Sequence, residues 1–322
     1  MIEPVSLPPA AGPGDRVGVA ALSGPVRPER LEAGVEALRR LGFVPVLADN
    51  LLARSRHDLF AGDDAERLAA FHRLAADPAL PAIFFARGGS GLLRVLPGID
   101  WDLLARRPRA YVGYSDLTPF LLGVVERLHL AAFHGPLVAA ELAQGLDAAE
   151  EASLLDALAG RYPAALPFQS WLREPAAGET VAGPLLGGCL SLLAGTLGTP
   201  YFPDLAGSVL FWEDVNEPPY RIDRMLTHLR LSDNLVNIEA MIIGHLAVSQ
   251  ITGQTPGQTA GQAEPPAVDW PGLVEESAGG FSWPLAWGLD SGHLRPNLTL
   301  PLGLRVSLEA GDRRLRLAGG ED

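Results

Sequence analysis

The sequence predicts an α/β protein whose first half is a parallel sheet covered by helices and whose second half is richer in strands. Two observations carry this. From Arg16 to about Gly160, short apolar runs alternate with segments whose apolar residues recur at helical spacing, the pattern of a parallel sheet with helical crossovers. Beyond Gly183, strand-like runs dominate and helical periodicity is found mainly once. At 322 residues the chain also exceeds the usual size of a single domain, so two packed domains are expected.

The elements follow in order. Val17 to Leu22 is the first strand, and Pro28 opens a helix that carries Leu31, Val35, Leu38 and Leu41 on one face before Gly42 stops it. Val44 to Leu47 is the next strand. Asp64 to Ala76 aligns Leu68, Phe71 and Leu74 on one helical stripe, and Pro81 leads into the apolar run Ala82 to Ala86. A glycine-rich stretch, Arg87-Gly88-Gly89-Ser90-Gly91, ends that run. The strand Ala110 to Gly113 passes through Tyr114-Ser115-Asp116 into an apolar helix from about Leu117 to Leu128, which makes a strand, a sharp turn and a helix. Between Gly160 and Gly183 periodicity fades and Pro, Ala and Gly accumulate, so residues 1–160 are expected to form an N-terminal domain, 161–182 a linker and 183–322 a C-terminal β-rich domain. In that second part Val209 to Trp212, Ala240 to Ala247, Leu285 to Gly288, Leu304 to Leu308 and Arg314 to Leu317 read as strands, the last two as a hairpin through Gly311. Arg221 to Arg230 reads as a helix with Ile222, Met225, Leu226 and Leu229 at helical spacing. Thr252 to Gly280, rich in Gln, Thr, Gly, Ala and Pro, reads as a surface loop.

Composition narrows the function classes. Lys plus Arg total 25 against 38 Asp plus Glu, a formal charge of −13 that repels phosphate backbones and anionic lipid surfaces. No nucleic-acid or membrane partner is expected. The single cysteine, Cys189, rules out an intramolecular disulfide and a Cys-based zinc site, which fits a reducing cytosol. Met1 to Gly14 has neither a basic region nor a continuous apolar core, so it does not read as a secretory signal, and a cytoplasmic protein is expected.

Ser115 is the sharpest chemical candidate, because a strand-turn-helix corner lifts its side chain clear of the sheet beside N–H groups at a helix start. The Gly-x-Ser-x-Gly pattern is not met, since Leu117 occupies the last position, and the same residue would also suit an ordinary helix N-cap. The Gly88 to Gly91 run can cradle an anion or supply a second oxyanion donor, or it can be a tight turn needing positive φ. It has neither the dinucleotide fingerprint nor the Gly-Lys-Ser/Thr of a phosphate loop. Of seven histidines, His57, His72, His129 and His228 read as solvated positions, whereas His134, His245 and His293 each sit beside glycine at the edge of an apolar run. Glu213 closes an apolar strand, with Asp214 and Glu217 following. A buried acid there needs a partner, as an imidazole orienter or as a helix cap. No His-x-x-x-His pair or carboxylate-rich ligand cluster occurs, so no metal and no cofactor are expected.

In order along the chain, these segments resemble the LD-carboxypeptidase family of serine peptidases, also called muramoyltetrapeptide carboxypeptidases. The resemblance runs through Ala86-Arg87-Gly88-Gly89, Val112-Gly113-Tyr114-Ser115-Asp116-Leu117-Thr118, Phe133-His134-Gly135-Pro136, Leu186-Gly187-Gly188 and Gly198-Thr199-Pro200. It continues through Glu213 to Leu226, Gly288-Leu289-Asp290-Ser291-Gly292-His293 and Thr299-Leu300-Pro301-Leu302-Gly303. It implies a flavodoxin-like N-terminal α/β domain, a β-rich C-terminal domain, an active site at their junction and a homodimer. It also implies a triad of Ser115 as nucleophile, His293 as base and Glu213 as orienting acid, with Asp116 and Gly88 or Gly89 supplying oxyanion N–H groups and a small peptide as substrate. Arg87 and Arg221 are candidate carboxylate readers, and Ser90, just after the first matching block, and Glu217 are further candidate substrate contacts. Two departures bear on the pocket: Ser90 stands where the family has tyrosine and Cys189 where it commonly has asparagine. The family also contains immunity peptidases that cut microcin C-type peptidyl nucleotides, for which an aromatic residue would stack on a base; Trp270, Trp283 and Trp287 lie in or near the 252–280 stretch, and core or surface packing explains them equally well. A non-catalytic module using Gly88 to Gly91 to hold an anion is the third reading.

Overall fold

The computed structural model describes residues 5–247 and 268–318. Its first part runs β1 (Arg16–Ala20), α1 (Pro28–Arg40), β2 (Val44–Leu47), α2 (Asp64–Ala76), β3 (Ala82–Phe85), α3 (Leu92–Val95) and α4 (Trp101–Arg106). Then follow β4 (Ala110–Gly113), α5 (Thr118–Leu128), β5 (Ala132–His134), a π-helical turn over Val138–Leu142 and α6 (Ala148–Leu158). The parallel strands lie in the order β5-β4-β3-β1-β2, the flavodoxin-like order, in which the order of strand addition reverses between β1 and β3. Strands buried on both faces need apolar side chains throughout, and β3 and β4 are buried at every position. The helices cover them through the stripes visible in the sequence. Leu31, Val35 and Leu38 of α1 and Phe71 and Leu74 of α2 are buried, and α2 begins with a reciprocal capping box between Asp63 and Glu66.

The second part continues with β6 (Ala165–Arg173), β7 (Thr180–Cys189), α7 (Leu190–Thr196), β8 (Val209–Val215), α8 (Pro219–Leu231), β9 (Ala240–Ala247) and α9 (Trp270–Ser277). It ends with β10 (Leu285–Leu289), β11 (Leu300–Leu302), β12 (Arg305–Glu309) and β13 (Arg314–Leu317). Seven of these strands close a barrel in the order β10-β6-β13-β12-β7-β8-β9. The expected hairpin is present as the antiparallel pair β12–β13. β11 leaves the barrel and adds antiparallel to β5, so the C-terminal half supplies the sixth strand of the first sheet.

Two expectations need correction. The stretch 161–182 is not a bare linker, because it contains β6 and the start of β7, both part of the barrel wall. The physical sign was alternation: Leu166 and Phe168 are buried while Pro167 and Gln169 are exposed, and a proline there is compatible with a strand where it need not donate to the ladder. The stretch 252–280 is not one loop either. Residues 268–280 include α9, started by Asp269, whose carboxylate accepts from the Gly272 N–H, while 252–267 lie outside the described residues. No helix among the described residues is long and apolar enough to cross a membrane.

Candidate active site

Ser115 stands at the corner between β4 and α5, with a backbone φ of 63°. A non-glycine residue in this left-handed region is strained. The strain is held by the first turn that follows: Leu117 N–H donates to Tyr114 O (3.2 Å), and the Thr118 hydroxyl donates to Ser115 O (2.8 Å). Thr118 Oγ1 in turn accepts the Cys189 N–H at 3.0 Å, which ties the corner to the β7–α7 junction of the barrel.

Glu213 lies in β8, paired in register with Cys189 of β7, and is fully buried. His293 lies in the loop after β10. Its Nδ1 is 2.6 Å from Glu213 Oε2 and its Nε2 is 3.1 Å from Ser115 Oγ. The His293 backbone N–H also reaches Glu213 Oε2, at 3.2 Å. Burial disfavours the imidazolium, but the Glu213 carboxylate against the ring outweighs it, with Asp214 and Glu141 adding to the same field, so the His293 pKa is raised. The Tyr114 ring packs 4.7 Å from the His293 ring, between centroids, and its hydroxyl donates to Glu141 Oε1 at 2.6 Å. Glu141 Oε2 accepts the Leu137 N–H (2.9 Å), fixing the acid on the π-helical turn.

The loop carrying His293 is anchored from the other half of the chain. Glu150 of α6, buried, accepts from Arg295 Nε (3.0 Å) and from the Asn297 N–H (2.9 Å), and pairs with Arg295 Nη2. Asn297 Oδ1 then accepts the Gly292 N–H at 2.9 Å, immediately before His293. Arg295 is 42% exposed and would stay solvated, but the buried Asn297 N–H would lose its acceptor, so Glu150→Ala is expected to cost about 1–3 kcal/mol of stability. It should also lower turnover, as measured by urea unfolding and steady-state kinetics. An unchanged urea midpoint would show that the loop is held by something else.

Gly88 packs against the Ser115 side chain. A Cβ at Gly88 would lie 2.8 Å from Ser115 Cβ and 3.4 Å from the Asp116 nitrogen, so only glycine permits this approach. Among the described residues neither the Gly88 nor the Gly89 N–H has an internal acceptor, while Gly88 O accepts the Gly24 N–H at 3.0 Å. The Asp116 side chain is turned to Leu92 N–H (2.9 Å), which leaves its backbone beside Gly88 and Ser115. Arg87 and Ser90 flank this pair and are exposed. Glu217 and Arg221, by contrast, are occupied with each other in an ion pair of 2.9 Å at the start of α8.

The other two histidine candidates do not reach Ser115. His134 is fully buried, against the Tyr114 and Phe211 rings, and burial first and the nearby His293 second lower its pKa to about 3. His245 faces Asp290 at 3.5 Å. Cys189 is buried beside the acid strand, and its thiol pKa is pushed well up by burial and by Glu213 and Asp214. Sequence reasoning missed Glu141, Thr118, Gly24 and Glu150. The only local signs were an acid inside the apolar run Leu137 to Leu142, a threonine two positions beyond the expected corner and a glycine following the first strand.

Models of the LD-carboxypeptidase N-terminal and C-terminal domains match residues 17–135 and 182–308. A Bacillus subtilis protein named "probable murein peptide carboxypeptidase" is 31% identical over 97% of this chain and 94% of its own. The murein tetrapeptide carboxypeptidase of Pseudomonas aeruginosa is 33% identical over 94% of each chain. The Escherichia coli microcin C7 self-immunity protein is 26% identical over 94% of this chain and 93% of its own. Among solved structures, the muramoyltetrapeptide carboxypeptidase of Oxalobacter formigenes superposes with a TM-score of 0.78 at 27% identity, covering 94% of this chain and 97% of that one. The microcin C7 self-immunity protein bound to glutamyl sulfamoyl guanosine gives 0.82 at 23% identity, covering 99% of each. The same protein as an active-site mutant with a serine, an asparagine and a lysine changed to alanine gives 0.81 at 23% identity, again covering 99% of each. With both domain models matched in order across most of its length, the chain belongs to the LD-carboxypeptidase family.

Proposed function

We propose that the protein is a serine-type LD-carboxypeptidase that releases the terminal D-alanine of murein tetrapeptides in cytoplasmic cell-wall recycling. The observation that carries this is the unbroken chain from Ser115 Oγ through His293 to Glu213, with links of 3.1 and 2.6 Å. A serine hydroxyl is a poor nucleophile until a base takes its proton, and the base needs an acid to fix its tautomer and stabilise its charge.

In the proposed reaction His293 Nε2 takes the Ser115 proton as Oγ attacks the carbonyl before the terminal D-residue. The N–H groups of Asp116 and of Gly88 or Gly89 hold the developing oxyanion. Collapse of the tetrahedral species breaks the peptide bond, and the imidazolium gives its proton to the departing amine of D-alanine. Water, deprotonated by the same His293, then hydrolyses the Ser115 ester and restores the serine.

The immunity-type reaction on a peptidyl nucleotide is the second reading, favoured by the Escherichia coli relative. The murein reading is supported by the higher identity to the Pseudomonas protein. It is supported also by composition: all 25 basic residues here are arginine, so the active-site lysine of the immunity structure has no lysine counterpart. Purified protein is expected to release free D-alanine from a murein tetrapeptide and to leave an aminoacyl-sulfamoyl adenosine intact. Cleavage of the adenosine compound alone would transfer the protein to the immunity reading, and silence on both would support the anion-binding module.

A further inference from the structure

The parallel sheet has one crevice fixed by topology, at the carboxyl ends of β1 and β3, where the strand order reverses. The loops leaving these two strands are joined there by the hydrogen bond from Gly24 N–H to Gly88 O. Beside them lies a cavity of about 340 Å³ lined by Val26, Arg27, Arg30, Arg87, Ala139, Ala140 and Gln144. Three arginines thus line one space in a protein whose formal charge is −13.

Among the described residues, Arg27, Arg30 and Arg87 form no ion pair, although eleven other arginines do: Arg16, Arg39, Arg54, Arg67, Arg73, Arg94, Arg161, Arg221, Arg295, Arg314 and Arg316. Arg87 is held across the crevice by a hydrogen bond from Nη1 to Pro25 O (2.5 Å). Arg27 is the residue before the first turn of α1, so the positive end of that helix faces the same region. The only acid on the adjoining turn, Glu141, is engaged by Tyr114 and Leu137. Solvation can support three like charges on a surface, yet their gathering around one cavity, next to the glycine that touches the nucleophile, is what an anionic ligand group would require.

We infer that this cavity is a substrate subsite in which Arg27, Arg30 and Arg87 hold a carboxylate of the peptide other than the scissile carbonyl. The inference rests on the carboxypeptidase reading and specifies how that site selects acidic peptides. Arginine suits the task because its planar fork binds both oxygens of a carboxylate.

The test uses the full chain with both Arg27 and Arg30 replaced by glutamine, beside Arg40→Gln, which removes a charge at the far end of α1. The double variant is expected to raise KM for the tetrapeptide by about 10-fold or more, the scale of charge-assisted hydrogen bonds, with kcat held within about two-fold. Amidating the tetrapeptide carboxylates one at a time should identify one whose loss raises KM for the wild type and no longer matters in the double variant. The wild-type KM should also climb more steeply with salt than that of the double variant. Inorganic sulfate should protect the wild type and Arg40→Gln against thermal unfolding and protect the double variant less, a readout independent of any peptide substrate. Unchanged KM and unchanged sulfate protection in the double variant overturn the subsite while leaving the peptidase reading intact. Absence of tetrapeptide turnover in the wild type defeats the reading instead, and the sulfate comparison then still decides whether the anion site exists.

Discussion

Replacing Ser115 by alanine is expected to lower kcat on the tetrapeptide by about 10⁴-fold to 10⁶-fold, the scale seen when a triad nucleophile is lost. The proteolytic fold should survive. Only the hydroxyl is removed, its hydrogen-bond partner His293 keeps its bonds to Glu213, and the main-chain φ of 63° is as accessible to alanine as to serine. A stability change within about 1 kcal/mol is therefore expected, the net worth of one ordinary hydrogen bond. Turnover assays and thermal unfolding on the same preparation separate the two effects. Full activity in a folded Ser115→Ala protein would remove Ser115 from the chemistry. Loss of activity together with loss of the fold would mean that the corner is chiefly structural, since the strained turn is stabilised by Thr118 and Leu117 contacts that the substitution leaves untouched.

Much of this arrangement was legible in the sequence because its causes are local. Strands buried on both faces must be apolar, so β3 and β4 announced themselves, and a serine between an apolar strand and an apolar helix marked the corner. The barrel was harder to read. β6, β12 and β13 alternate in burial over only part of their short lengths, and β7 carries glycine for tertiary reasons: at Gly187, with φ of 130°, a Cβ would lie 1.7 Å from Phe211 O, so β7 approaches β8 through residues that look like breakers. The three-residue β11, in a Leu-Pro-Leu segment, has too little pattern to be assigned to either half. The choice of histidine was least legible from the residues themselves. His134, His245 and His293 share the same local context, and what separates them is where Glu150, far away in sequence, holds the loop containing Arg295 and Asn297. Likewise nothing in the sequence around Arg27 and Arg30 marks a site, because the cavity beside them is lined also by residues of the π-helical turn, far away along the chain.

Glu213→Gln separates charge from shape. The amide oxygen of glutamine can still accept from His293 Nδ1 and N–H, as Glu213 Oε2 does, so the ring keeps its place. The amide NH₂ falls where Oε1 is buried without a partner, which costs about 1–3 kcal/mol of stability. What disappears is the negative charge that, in the proposed reaction, stabilises the imidazolium formed as Ser115 attacks, and kcat is expected to fall by about 10³-fold to 10⁴-fold. The pH profile gives the second signature. In the proposed reaction His293 must be neutral to accept the serine proton, so kcat/KM is expected to fall as pH drops through its pKa, a limb that Glu213 raises above the ordinary imidazole value of 6.5. With the carboxylate gone, burial is opposed only by the more distant Asp214 and Glu141, and the limb should move to lower pH even as the plateau drops. A plateau that drops without any shift of the limb would show that another group controls it. Wild-type turnover in the variant would demand a different acid, yet Asp214 already accepts the Ser191 and Val215 N–H groups at 2.7 Å each and Glu217 is paired with Arg221. Neither can take over without breaking contacts that fix β8 and α8, and for that reason the charge requirement should fall on Glu213.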